Sequence, residues 1–140
     1  VPRFGELVVG DTFEAPYGRT ITDADVLGFA ALTRDWHPNH CDDEWASSTP
    51  FGQRIAHGML SLSYAIGQLQ IDPRDAIALR RVTRVVFKRP VFIGDTLHVS
   101  AKVKKLSPVD DECGMVQTEL RVRARDRLAV LADLEILWRA

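Results

Sequence analysis

Along this chain the spacing of apolar positions changes once, near residue 78. Before that point the period is helical. Val26, Leu27, Phe29, Ala30 and Ala31 form one stripe, which predicts a helix capped by Thr22 and ending near Thr33. Asp23 and Asp25 lie in its first turn, where the helix dipole favours negative charge. Asp42 or Asp43 can cap a short second helix through Trp45 and Ala46, which Pro50, Phe51 and Gly52 then break. A third stretch, Met59, Leu60, Leu62, Tyr64, Ala65, Ile66 and Leu69, is apolar nearly all round. It predicts a helix over 56–69 with so little polar face that it is buried.

From residue 78 the period is two. Val82, Val86 and Lys88 alternate with Thr83, Val85 and Phe87, up to Pro90. Leu97 to Val103, Val116 to Ala124 and Val130 to Trp138 alternate with polar neighbours in the same way. Residues 1–20 add a loop and one strand, with Phe13 and Tyr17 among polar residues. The order is strand, helices, then four strands in a meander. It predicts an α+β fold, a curved antiparallel sheet wrapped around the long helix, as one domain over 1–140.

Composition narrows the class. With 140 residues, 46% hydrophobic and 26% charged, the chain has the make-up of a globular domain with a real core. A net charge of −1 advertises neither nucleic acid nor an anionic membrane as partner. No apolar run reaches the roughly 18 residues of a membrane span, and the N-terminus lacks a signal-peptide core. Two cysteines, Cys41 and Cys113, form no CxxC pair, so a reducing cytoplasm is the expected location. Basic residues gather in two places: Arg80, Arg81, Arg84, Lys88 and Arg89, and then Arg121, Arg123, Arg125 and Arg127 at every second position. The second set shares one face if its strand is unbroken. These are either a solvated outer face or a landing site for an anionic partner.

Candidate chemistry sits in Asp35-Trp-His-Pro-Asn-His40 and, seventeen residues after His40, in His57-Gly58-Met59. Proline lacks an N–H and pushes His37 toward extended geometry, so a bent, non-helical segment is expected. Its two ends can then converge. An acid and an imidazole that converge make a proton-transfer site. Taken singly, Asp35 also reads as a helix-end residue, His40 as a loop histidine and Gly58 as a packing glycine. A metal site drawn from His37, His40, Asp42, Asp43 and His57 is not expected, because HxxH straddles a proline and no cysteine set accompanies it. Ser61 and Ser63 lack the GxSxG elbow of a serine nucleophile. Cys41 reads as a small buried thiol.

Three segments carry a resemblance: Phe29-Ala-Ala-Leu-Thr-Arg-Asp35-Trp-His-Pro38-Asn-His40, Ala56-His57-Gly58-Met59-Leu60, and Phe87-Lys-Arg-Pro90-Val91-Phe-Ile-Gly94-Asp95-Thr96. In this order, over essentially the whole chain, they resemble the MaoC-like hydratase/dehydratase family of hot-dog proteins. The resemblance implies a cofactor-free homodimer that adds water reversibly to a trans-2-enoyl thioester of coenzyme A or acyl carrier protein, giving the (R)-3-hydroxyacyl product. It implies Asp35 and His40 as the catalytic dyad and Gly58 as the glycine whose N–H faces the thioester carbonyl. His37, His57, Met59 and Ile66 are the expected substrate contacts, and the arginines would meet coenzyme A phosphates or an acidic carrier. The chain departs from the family pattern at Arg34 (usually glycine), His37 (usually asparagine) and Ile66 (often serine). The alternative is an accessory hot-dog subunit that binds an acyl thioester within a heteromeric complex.

Overall fold

The computed structural model describes residues 2–140; Val1, the first residue of the expected 1–140 domain, lies outside the described residues. Two short strands, β1 (Thr12–Glu14) and β2 (Arg19–Thr20), lead into helix α1 (Asp23–Thr33). The Thr22 hydroxyl accepts the Asp25 N–H at 3.2 Å while the Asp25 carboxylate accepts the Thr22 N–H at 2.8 Å, a reciprocal cap that starts the helix where the sequence places it. The helix ends on Arg34, which is left-handed at φ 64°. That geometry costs an L-residue about 1–2 kcal/mol, which accounts for glycine in the related pattern at this position.

Segment 35–40 departs from the expectation. Pro38 does not keep it out of a helix; it starts one, the single turn α2 (Pro38–Cys41). At the first helical position the missing N–H has no intrahelical partner to lose. Asp42 caps the next helix, α3 (Asp43–Ser47), by accepting the Trp45 N–H at 3.0 Å. The long helix is α4 (Gly58–Gln68). Leu60, Ser61, Leu62 and Ala65 are buried, but Met59 is 54% exposed and Ser63 and Gly67 face solvent. The expectation of burial all round is therefore corrected: the sheet covers one side of α4, where the helix packs on strands β4 and β6 defined next.

Four long strands follow, β3 (Ala76–Phe87), β4 (Thr96–Pro108), β5 (Cys113–Ala124) and β6 (Arg127–Arg139). The antiparallel order is β1-β4-β5-β6-β3, with β2 also on β4. Only β4, β5 and β6 form the meander. β3 pairs with β6 at the sheet edge, far from its sequence neighbour β4. Its pairing shifts register three times and Arg84 is left-handed at φ 54°, so the clean alternation expected of β3 is lost to bulges that bend it. In β5 and β6 alternation holds, and Val116, Leu120, Val122, Leu134 and Trp138 are buried in the core. The Trp138 indole N–H donates to the Pro2 carbonyl at 2.8 Å, and its ring packs on Phe13.

Arg125 and Asp126 both have positive φ, 53° and 58°, in a two-residue turn whose twist suits the flanking strands. That turn breaks the four-arginine face: Arg127 belongs to β6. Several of the other cations are tied to carboxylates, Arg125 to Asp95 at 2.6 Å, Arg121 to Glu119 at 2.9 Å and Arg81 to Glu135 at 3.2 Å. Among the described residues no helix is long and apolar enough to cross a membrane.

Candidate active site

Three pieces of chain meet at the start of α4. The left-handed Arg34 turns the chain out of α1, and the Asp35 N–H donates to the Thr33 hydroxyl at 3.3 Å. The Asp35 carboxylate accepts the His37 N–H at 3.3 Å. α2 then carries His40 back beneath it. The strap before α4 is fixed at both sides, Ile55 N–H to the Asn39 carbonyl at 2.9 Å and Ala56 N–H to the Val91 carbonyl at 2.7 Å. This places the Ile55 carbonyl 2.7 Å from His40 Nδ1.

A carbonyl only accepts, so His40 Nδ1 carries the proton and Nε2 keeps a lone pair. The same logic applies to His57, whose Nε2 lies 2.9 Å from the Asp35 carbonyl and must donate to it. The two imidazoles are stacked, centroids 3.7 Å apart and planes 26° from parallel. Ligand atoms of Asp35, His40 and His57 all lie within 4.8 Å of one another. The expected convergence of residues 35 and 40 is present, and His57 joins it. This spacing admits proton transfer among the three groups. His37, Asp42 and Asp43 stand apart: His37 Nδ1 accepts the Asn39 N–H, Asp42 caps α3 and Asp43 pairs with Arg54.

The trio sits at the polar end of a cleft of about 530 Å³. Phe29, Phe51, Ile55, Val91 and Val130 are among its apolar lining, and the exposed Lys88 and Arg89 line it too. Burial pushes the His40 imidazole below its ordinary value; the bond to the Ile55 carbonyl works the other way, the nearby His57 lowers it further, and Asp35 raises it. Burial thus holds His40 toward its neutral form. Gly58 is the first residue of α4. A Cβ there would stand 2.8 Å from the Phe87 ring, so glycine is what lets β3 close on the helix start. The His57 side chain makes no cap on its own helix, which leaves the first-turn N–H groups unclaimed by it.

Of the expected substrate contacts, His57 and Met59 line the cleft. His37 and Ile66 do not. His37 is exposed, capping α2 and packed edge-on against Trp45 at 5.3 Å. Ile66 lies about two turns further along α4 and packs on the core. Sequence reasoning passed over Phe29, Thr33, Phe51, Ile55, Ser61 and Phe87 as cleft residues, whereas Lys88 and Arg89 stood in the basic cluster it read as a solvated face or an anion landing site. Phe87 to Pro90 had a signal in the third resemblance segment; Phe51 and Ile55, on an irregular strap, had none.

Residues 5–124 match the family described as MaoC like domain. An (R)-specific enoyl-CoA hydratase of Rhodospirillum rubrum is 36% identical over 67% of this chain and 65% of its own length. The chain thus spans slightly less than two thirds of that relative. A solved structure described as a monoamine oxidase regulatory protein from Archaeoglobus fulgidus superposes with a TM-score of 0.91 and 37% identity, covering 99% of this chain and 94% of the other. The unliganded R-hydratase from Pseudomonas aeruginosa superposes with a TM-score of 0.80 and 32% identity, covering 96% and 83%. The fold is the hot-dog fold, as the resemblance implies.

Proposed function

This chain belongs to the MaoC-like domain family, and on that premise we propose that it hydrates trans-2-enoyl thioesters to (R)-3-hydroxyacyl thioesters and catalyses the reverse dehydration. One observation carries the reading: a carboxylate and a neutral imidazole share a small space beside an uncapped helix start, inside an apolar cleft. In this reading Asp35 and His40 Nε2 hold one water between them. Its oxygen bonds to the β-carbon, its proton passes to the pair, and the pair returns a proton to the α-carbon. Charge that builds on the thioester oxygen meets the Gly58 N–H, reinforced by the α4 dipole.

The substrate class follows the cleft. Its apolar lining suits an acyl chain, and the exposed Lys88 and Arg89 suit the phosphates of coenzyme A or of a carrier protein's prosthetic arm. A homodimer reading is supported by β3, an edge strand with Ile77, Leu79, Val82 and Val86 exposed. A second copy seated there would close the open side of the cleft along Phe87. Cys41 and Cys113 are free thiols, in keeping with a cytoplasmic setting. The rival role, an accessory acyl-binding subunit, has no use for both members of an acid–base pair.

Purified protein mixed with crotonyl thioester should bleach the conjugated enone absorbance. Asp35→Asn and His40→Ala should each slow that signal by roughly 10²–10⁴-fold. Wild-type rates in both variants would end the assignment. A panel varying acyl group and carrier then fixes the substrate.

A further inference from the structure

We propose that His57 is a positioning residue for the dyad: its Nε2–H pins the Asp35 backbone to the start of α4, and its ring is the wall on which the His40 imidazole lies. The catalytic meaning of this role rests on the hydratase reading; the geometry does not. His57 is 3% exposed. It spends its one N–H on the carbonyl of a residue 22 positions away, at 2.9 Å, instead of on its own helix. Its ring lies between two others, stacked on His40 at 3.7 Å and edge-on to Phe29 at 5.0 Å. One residue thus touches both members of the pair, one through a hydrogen bond and the other through a face.

A second observation separates this role from packing. His57 Nδ1 is buried and has no hydrogen-bond partner among the described residues. An orphaned buried acceptor is a standing cost, which an apolar ring of the same shape would remove. Such a ring would lose the tie to Asp35. The groups around His40 are Asp35 and His37 from its own segment, His57 from α4, Arg54 on its carbonyl at 3.2 Å, and Lys88 and Arg89 along the same cleft. Of the basic ones, only His57 presses its ring face to face on His40, so it should set both the aim and the titration of that imidazole.

His57→Phe keeps a ring and removes the donor. We expect kcat to fall roughly 10- to 100-fold with KM little changed, since about 1 Å of misplacement costs on the order of 10²-fold. The His40 titration, followed by imidazole NMR, should move upward, because the His57 imidazole that lowers it is gone. His57→Gln, which can still donate, should recover part of the lost kcat. Wild-type kcat together with an unmoved His40 titration in folded His57→Phe would overturn the proposal. So would ¹⁵N spectra of the wild-type protein placing the His57 proton on Nδ1, a result that needs no variant to fold. If the wild-type protein hydrates no thioester, the functional reading fails, while the two NMR measurements still decide the role of His57.

Discussion

The β4–β6 half of the molecule and the half that holds the cleft obey different rules. In β5 and β6 buried and less buried residues alternate for most of twelve and thirteen residues, and their mutual pairing shifts register once. Around the cleft, rules are broken repeatedly. Arg34, beside Asp35, is left-handed without being glycine; in the sheet half Arg125 and Asp126 are left-handed too, but at a hairpin turn that calls for it. Asn39 Oδ1, His57 Nδ1 and Ser61 Oγ are buried without partners among the described residues, against Thr118 Oγ1 in β5. β3 shifts register three times. A sheet built on local consistency supplies stability, and it lets a neighbouring region hold conformations that consistency alone would reject.

That contrast can be broken from either side. The largest effect belongs to the sheet: Trp138→Ala should cost about 3–5 kcal/mol in denaturant unfolding, while the activity of the remaining folded enzyme stays near wild type. A mild cost would mean that the core is less tightly packed than its burial implies. Next comes Gly58→Ala. The added methyl meets the Phe87 ring at 2.8 Å, so the helix start must shift against β3. Hydration should fall on the order of 10²-fold with only a small change in melting temperature. An unaffected rate would show that the Gly58–Phe87 contact does not set the cleft.

The pH profile comes third. Burial lowers the pKa of His40, which in the proposed reaction acts in its neutral form. Protonation on acidification therefore removes the base, and the acid limb of kcat/KM should fall below the ordinary imidazole value of about 6.5. A limb at or above that value would contradict the burial argument. The smallest effect is Arg34→Gly, which relieves the left-handed turn and should stabilise the protein by up to about 1 kcal/mol with activity unchanged. Destabilisation there would mean that the arginine side chain makes a contact worth more than its strain.

Legibility followed the same divide. The cap at Thr22, a cap at Asp42 or Asp43 and the strands from residue 96 onward could be read from short stretches, because capping and alternation act within a few residues. The pairing of Asp35 with His40 was readable for a related reason: five positions separate them, although the path between them is a helical turn rather than the expected bend. His37 and Ile66 were misplaced because motif position does not say where a side chain points. His37 turned to cap its own helix, and Ile66 turned to the core.

By itself the sequence determined the elements that local chemistry controls, the convergence of Asp35 and His40, and the glycine at the helix start. Only the tertiary structure decided that β3 docks on β6, that the arginine row is cut by a turn, and that His57 lies against His40 with its N–H on Asp35. The first and last of these depend on contacts between residues seventeen or more positions apart. No periodicity encodes such contacts; they form when the sheet closes over α4 and brings distant segments to one place.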